Sequence, residues 1–188
     1  MLGIFALTVQ SVQGALMVMI NHGLSTGALF FLIGMIYERR HTRLISAYGG
    51  IARVVPLFSA IFVFVSLSSI GVPGTNGFVG ELLALLGAYR TYPVLAVVAA
   101  TSVIIAAAYM LWAVQRILFN PLDKVENEHI PDMNRRELLL MAPLLAGIIW
   151  LGVYPAPVLR RLQPAAENFV RIVESRSAMS NTAMRGGR

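Results

Sequence analysis

The sequence predicts an all-α, polytopic membrane protein with about four full transmembrane elements, one of them discontinuous, and an N-terminal partial helix. Of the 188 residues, 57% are hydrophobic and only 13% are charged, whereas soluble domains carry about 25% charged residues. Several apolar runs are long enough to cross ~30 Å of hydrocarbon at ~1.5 Å per residue. The basic residues gather at or beyond the ends of these runs, as topology signals do.

The charge and the residue types exclude several classes of function. The net charge of +6 does not indicate a nucleic-acid partner, because no basic residues alternate with aromatic ones on an amphipathic face. The lipid bilayer is the expected partner instead. The chain has no cysteine, so disulfides, thiolate metal sites and cysteine-ligated iron–sulfur clusters are excluded here. We expect neither a cofactor nor a metal in this chain.

The elements follow from the apolar runs in order. "MLGIFALT" is too short to span alone and is typical of the end of a helix whose beginning is missing, so we expect a truncated or split chain. Further spans are predicted at about 12–37, 55–89, 94–118 and 137–153. Together they form a membrane domain, 1–155. Residues 156–188 form an extramembrane tail, where apolar residues predict a short amphipathic surface helix.

Two interpretations compete for the region around "GVPGTNGFVGE", which begins at Gly71 and ends at Glu81. A span over 55–70 followed by a separate helix over 78–98 would place Arg90 in hydrocarbon, at ~2.5–3.5 kcal/mol even on the gentler scale. A single element over 55–89, broken at 71–77, keeps Arg90 at the membrane boundary. We therefore expect one discontinuous element. Its helix break is assigned to Gly71, Pro73, Gly74 and Gly77.

The distribution of basic residues predicts the orientation. Loops 38–54 and 116–137 carry eight basic residues, against Arg90 alone in the short opposite turn, so these loops are predicted to be cytoplasmic. The C-terminal tail then lies on the opposite side. Its six arginines argue the other way.

Two ionisable residues are predicted at membrane depth, His22 in the first full span and Glu81 after the helix break. Such residues are rare inside membranes and indicate an ion or proton pathway or a buried pair. Imidazole can accept a proton at one nitrogen while donating from the other, so an acid and an imidazole in neighbouring spans suggest a proton relay. Two alternatives stay open: His22 as a hydrogen-bonded residue of a close helix contact, and Glu81 as the cap of its half-helix.

Three stretches together resemble a known family: "NHGLSTGALFFLIGMIYERRHTR" from Asn21, the following glycine pair, and "GVPGTNGFVGE". They are similar to the C-terminal part of the subunit M family of bacterial NADH-quinone oxidoreductase, respiratory complex I. Members are antiporter-like proton-pumping subunits. The resemblance extends over nearly the whole chain. It implies two inverted five-helix repeats, each with a broken helix that bears a charged residue.

The resemblance implies specific roles and partners. Glu81 matches the glutamate of the second broken helix, and His22 matches the histidine that bridges toward it. NADH, flavin, iron–sulfur clusters and quinone are then expected in partner subunits, which are the other membrane-arm subunits of complex I and the missing N-terminal half. The implied location is the bacterial inner (cell) membrane. The first repeat, with its buried lysines, has no counterpart here, so the chain alone should not pump.

Two rival functions remain from the sequence. The first is a subunit of a multisubunit cation/proton antiporter or of a membrane-bound hydrogenase, which use the same fold with other partners. The second is a membrane scaffold in which His22 and Glu81 only hold helices together.

Overall fold

The computed structural model describes residues 1–186, which contain helices and turns and no strand. The helices are α1 (Leu2–Phe5), α2 (Val9–Arg40), α3 (Pro56–Ser69), α4 (Asn76–Tyr89), α5 (Pro93–Val114, continued by a π-helical turn over Gln115–Phe119), α6 (Arg135–Val153) and α7 (Ala156–Gly186). By length and composition, α2, α5 with its extension and α6 could each cross a membrane, and α3 is a shorter apolar helix. The predicted all-α, polytopic class is confirmed.

Helix α2 is the longest element, with 32 residues. A capping box begins it: the hydroxyl of Thr8 accepts from the Ser11 N–H at 3.1 Å, and the Ser11 hydroxyl accepts from the Thr8 N–H at 3.3 Å. Two reciprocal bonds satisfy amide groups that have no partner within the helix. It ends at His41, whose φ of 50° is left-handed. Helix α2 therefore extends about three residues beyond each end of the predicted 12–37 span.

Helices α3 and α4 run along α2 as a single discontinuous element. Both half-helices run antiparallel to α2, as shown by the residues that meet across the interface: Ser25 with Ser68, Asn21 with Asn76, Val18 with Gly80, Gly14 with Ala84, and Ser11 with Gly87. The α4 pairs share one register, and the α3 pair is offset from it because the residues between the half-helices are not helical. Helix α4 ends at Tyr89, and Arg90 is exposed. Arg90 thus lies just beyond the C-terminal end of α4.

Residues of the loop between α5 and α6 cap the N-termini of α3 and α6. Asp132 accepts from the N–H groups of Leu57 (2.9 Å) and Phe58 (3.0 Å), which caps α3 from outside because Val55, its own N-cap residue, makes no side-chain bond. Arg39 forms a bidentate salt bridge with Glu137, with Nη1–Oε1 at 2.8 Å and Nη2–Oε2 at 2.7 Å. The end of α2, the start of α3 and the start of α6 are fixed to one another at this side of the molecule.

The C-terminal tail differs from the expectation of a short surface helix. Helix α7 has 31 residues and lies against the N-terminal part of α2, where Ala166 and Val170 pack on Val12. Gln13 adds a hydrogen bond from its side-chain amide to the carbonyl of Leu159 at 2.6 Å. The prediction of a short helix was wrong because apolar residues at helical spacing continue beyond the stretch that packs on α2, and Pro164 does not interrupt the helix. Residues 187 and 188 lie outside the described range.

Candidate functional site

The interruption between α3 and α4 is built from two standard backbone motifs. Gly71, with φ of 75°, follows the C-cap residue, and its N–H donates to the Ser68 carbonyl at 3.2 Å while the Val72 N–H donates to Leu67 at 3.2 Å. This pair of bonds defines a Schellman motif, which requires a left-handed residue and so favours glycine. The carbonyls of Leu67 and Ser68 at the end of α3 are therefore satisfied within the break itself.

A turn follows at once. The Thr75 N–H donates to the Val72 carbonyl at 3.1 Å, with Pro73 and Gly74 (φ 91°) between them. Proline followed by a glycine of positive φ is the signature of a type II turn. Thr75 is then extended and α4 begins at Asn76. The non-helical stretch is 70–75, so the assignment of Gly77 to the break was wrong: the turn is complete two residues earlier, and Gly77 lies in the first turn of α4.

Buried polar side chains connect the break to α2. Asn76 is fully buried; its Oδ1 accepts from the hydroxyls of Ser68 (2.5 Å) and Ser25 (3.1 Å), and its Nδ2 donates to the Asn21 carbonyl at 3.2 Å. Asn21 in turn donates from its amide to the Asn76 carbonyl at 2.5 Å. Buried polar groups without a partner carry a desolvation cost, and this network pairs both polar groups of the Asn76 side chain with residues of α2 and α3, while Asn21 Oδ1 has no protein partner among the described residues. It holds the break against the middle of α2.

Glu81 lies in the second turn of α4 and is half-buried. No acidic residue occupies the first turn of α4, and the helix has no side-chain cap, so Glu81 does not cap it. Its carboxylate lies over Gly71: a Cβ atom built there would be 2.6 Å from Oε2. Among the side chains that the structure describes, residues 1–177 and 179, the carboxylate forms no ion pair. The glycine thus supplies the room in which an unpaired carboxylate sits beside the break.

His22 lies on α2 one turn before Thr26, and its side chain is exposed. Its Nδ1 is 2.7 Å from the Thr26 hydroxyl. A hydroxyl can either donate or accept, so this bond can persist whether or not the imidazole carries a second proton. The close helix contact is made instead by Asn21 and Ser25, which are buried on the face that meets α3 and α4.

The structure brings His22 and Glu81 to the same cavity. It has a volume of about 350 Å³, and its other polar lining comes from Asn21, Ser25, Thr26, Ser68, Ser69 and Tyr109. A second cavity of about 340 Å³ lies beyond it, lined by Glu81 together with Ser102 and residues of α1, α2 and α5. Glu81 and Val18 are the residues common to both linings. The carboxylate therefore stands between two spaces large enough to hold water.

Sequence reasoning identified the two ionisable groups but not most of the polar residues around them. Ser68, Asn76, Ser102 and Tyr109 were not assigned a role. A signal existed for two of them, since Asn76 follows the glycine-rich turn directly and Ser68 ends the preceding apolar run. For Ser102 and Tyr109 on α5, the apolar run around them offers none. Within the described part of the chain, no group of three His, Asp or Glu residues is arranged to hold a metal.

Comparison with known proteins gives a consistent picture. Residues 1–119 match the family model described as "NADH:quinone oxidoreductase/Mrp antiporter, TM". The chain is 44% identical over 170 residues to NADH-quinone oxidoreductase subunit M of Rhodobacter capsulatus, covering 90% of this chain and 33% of that protein. It is 38% identical over 170 residues to NADH-ubiquinone oxidoreductase chain 4 of Marchantia polymorpha, covering 90% and 34%.

A solved structure is similar as well. A chain of "Respiratory complex I from Thermus thermophilus with bound NADH" superposes with a TM-score of 0.84 at 36% identity, covering 90% of this chain and 36% of that one. This chain thus spans about a third of the length of the relatives it matches.

Proposed function

The chain belongs to the NADH:quinone oxidoreductase/Mrp antiporter transmembrane family, and from that premise we propose that it works as part of a proton-translocating membrane subunit of NADH-quinone oxidoreductase. The single observation that supports the site most strongly is the cavity shared by His22 and Glu81. The chain supplies no redox group in this proposal. NADH, flavin, iron–sulfur clusters and quinone belong to partner subunits, and proton movement here is coupled to their electron transfer.

The proposed relay uses His22 as the entry and Glu81 as the exit of this segment. A proton reaches the imidazole, which holds it while Nδ1 stays bonded to the Thr26 hydroxyl. Water in the shared cavity carries the proton to the Glu81 carboxylate, because ordered water can bridge by hydrogen bonds two polar groups that are not in direct contact. The second cavity, beyond Glu81, offers the way out. The network around Asn76 does not transfer the proton; it keeps the broken backbone and the cavity wall in place.

The proposal includes a location and an orientation. The protein is a multi-pass membrane protein, and we place it in the bacterial cell membrane with loops 38–54 and 116–137 on the cytoplasmic side. The paired charges of Arg39 and Glu137 lie at that side. The other membrane-arm subunits of complex I are the proposed partners, together with whatever segment supplies the remaining two-thirds of the length of the relatives.

Glu81→Gln in the intact assembly tests the relay. Glutamine keeps the size of the side chain and cannot release a proton, so we expect NADH-driven proton uptake by inverted membrane vesicles to fall at least tenfold. NADH:quinone electron transfer is measured in the same vesicles. The control is Glu126→Gln, in an exposed loop turn, which should change neither rate. Normal pumping with normal electron transfer in the Glu81 variant would instead support the scaffold function.

A cation/proton antiporter subunit is the second candidate, because the family description also names the Mrp antiporter. The two functions differ in their partners. Purification of the assembly from native membranes should recover flavin and iron–sulfur subunits if the proposal is correct. A set of membrane subunits only, with Na⁺/H⁺ exchange and no NADH oxidation, would establish the antiporter instead.

A further inference from the structure

An apolar groove lies at the loop end of the molecule, between α2, α3 and α5. Its volume is about 580 Å³, and its wall includes Leu29, Ile33, Phe62, Met110, Ala113 and Ile117. Along α2 the lining runs from Leu29 to Tyr37, a rise of about 12 Å at ~1.5 Å per residue. That depth is less than half of the ~30 Å hydrocarbon layer. The groove therefore has the depth of one leaflet.

A small polar basin adjoins the mouth of this groove. It has a volume of about 140 Å³, shares Ile45 and Tyr48 with the groove, and carries Arg116 and Lys124. Arg43 and Thr42 stand at the mouth of the groove itself. The apolar wall of the groove and the basic residues at its rim, which are Arg43, Arg116 and Lys124, thus form one continuous surface. The three positive charges of the rim exceed the one negative charge there, that of Asp123.

The two arginines are held in place without being neutralised. The guanidinium of Arg43 lies 4.9 Å from the ring centroid of Tyr37, and that of Arg116 lies 4.2 Å from the Trp112 ring. Neither arginine pairs with a carboxylate among the side chains described, those of residues 1–177 and 179; the ion pairs in that part are Arg39–Glu137 and a 3.9 Å contact between Lys124 and Asp123. Aromatic and basic residues at one level mark the boundary between hydrocarbon and headgroups.

We propose that the groove and the basin together bind one anionic glycerophospholipid, with an acyl chain along Ile33 and Ala113 and its phosphate beside Arg43, Arg116 and Lys124. Basic pockets between transmembrane helices at the cytoplasmic side are suited to anionic headgroups. Because the rim carries net positive charge, it favours a lipid with net negative charge over a zwitterionic lipid. A partner helix fits less well, because a spanning helix needs ~20 residues and the groove follows α2 for only about eight.

The test uses the intact assembly, delipidated and exchanged into nanodiscs of phosphatidylglycerol and phosphatidylcholine in equal amounts. Lipids that remain bound after re-extraction are counted by quantitative mass spectrometry. We expect wild type to retain phosphatidylglycerol, and the double variant Arg43→Gln/Arg116→Gln to retain about one molecule less per assembly. Arg53→Gln is the matched control, an exposed arginine on the same side that lines neither space. Equal loss from the control and the double variant would overturn the proposal.

A second variant tests the acyl chain separately from the charge. Ala113→Trp fills the groove and leaves every charge in place, so the same molecule of phosphatidylglycerol should be lost. Retention in this variant would mean that the rim binds only a phosphate group, and the proposed lipid site would be wrong. Competition with 10-fold excess inorganic phosphate over lipid should likewise fail to displace the lipid; displacement would overturn the proposal in the same way.

A photoreactive amino acid at Ile33, which is 40% exposed, identifies the occupant directly. After illumination of native membranes, an adduct with the mass of a phospholipid supports the proposal. An adduct with another protein chain would show that the groove is an interface between subunits, which would overturn it.

Discussion

At the residue scale, Asn76 determines how the polar groups of the break are satisfied. It is fully buried, and its side chain serves both serines and the backbone of α2. The arrangement of the site therefore depends on a neutral residue as well as on the two ionisable ones.

Asn76→Ala should destabilise the protein by about 1–3 kcal/mol, because the hydroxyls of Ser25 and Ser68 lose their shared acceptor and the Asn21 carbonyl loses its donor. The measurement is the thermal unfolding midpoint of the detergent-solubilised assembly. Thr101→Ala is the control, since this exposed hydroxyl bonds only to the Val98 carbonyl of its own helix. Equal midpoints for the two variants would contradict the role assigned to Asn76.

Sequence reasoning reached His22 and Glu81 because an ionisable group in an apolar run stands out against its neighbours. It did not reach Ser102 or Tyr109, since a serine or tyrosine in such a run is equally typical of a lipid-facing position or a helix contact. Their roles depend on which side of each helix faces the cavity. Nearly uniform apolarity around the helix, as in α5, removes the periodic signal that would reveal that side.

At the scale of elements, the two glycines of the break differ in what a side chain at each position would do. Gly71 and Gly74 both have positive φ. A Cβ at Gly71 would also meet the Glu81 carboxylate, whereas a Cβ at Gly74 would meet nothing within 4 Å. The pair therefore distinguishes backbone strain from displacement of the acid.

Gly74→Ala should cost only the left-handed strain of ~1–2 kcal/mol and leave proton pumping near wild type. Gly71→Ala carries the same strain and pushes the carboxylate away, so pumping should fall severalfold. Proton uptake and the unfolding midpoint are measured for both variants. If the two variants pump protons at the same rate, the position of the Glu81 carboxylate over Gly71 does not affect pumping.

The α2–α4 interface depends on small residues in the same way. A Cβ on Gly80 would lie 2.8 Å from the backbone nitrogen of Val18, while a Cβ on Gly27 would have no neighbour within 4 Å. Gly80→Ala should therefore lower stability by forcing the helices apart. Gly27→Ala should raise it by roughly 0.5–1 kcal/mol, because glycine is a poor helix former. Opposite signs in the unfolding midpoint are expected; equal signs would contradict this packing.

The discontinuous element itself was predictable, because its proline and glycines have strong local preferences. Its boundary was less so: "GVPGT" contains both the Schellman glycine and the type II turn, and the prediction that the break continues to Gly77 did not separate them. Helix α7 illustrates the opposite case. The spacing of its apolar residues predicted a helix. The contact of this helix with Val12 depends on tertiary packing, which the spacing alone does not predict.

At the scale of the whole molecule, an ion pair holds the helices together on the side of loops 38–54 and 116–137. On the opposite side, close contacts between α2 and α4 hold them together. The side chains of Arg39 and Glu137 are 15% and 11% exposed, and Glu137 also completes the capping box of α6 with Asn134. Arg39 reaches the Pro131 carbonyl at 2.9 Å as well. One ion pair thus connects the end of α2, the α5–α6 loop and the start of α6.

Arg39→Ala should destabilise the assembly by about 3–5 kcal/mol, because it leaves the largely buried Glu137 without a counter-charge. The double variant Arg39→Met/Glu137→Leu should recover part of that loss, since it removes both charges. Unfolding midpoints of Arg39→Met, Glu137→Leu and the double variant give the coupling energy. If the effects of the single variants simply add, the pair does not act as a unit.

The half-helices also constrain how the protein is made. Helices α3 and α4 have 14 residues each, about 21 Å at ~1.5 Å per residue, so neither can cross ~30 Å of hydrocarbon alone. Asn76, whose hydrogen-bond partners include Asn21 and Ser25 of α2, must enter the lipid together with that helix or remain unsatisfied. During synthesis the translocon should therefore hold α2 until residues beyond Tyr89 have emerged, and release the two crossing elements as a hairpin.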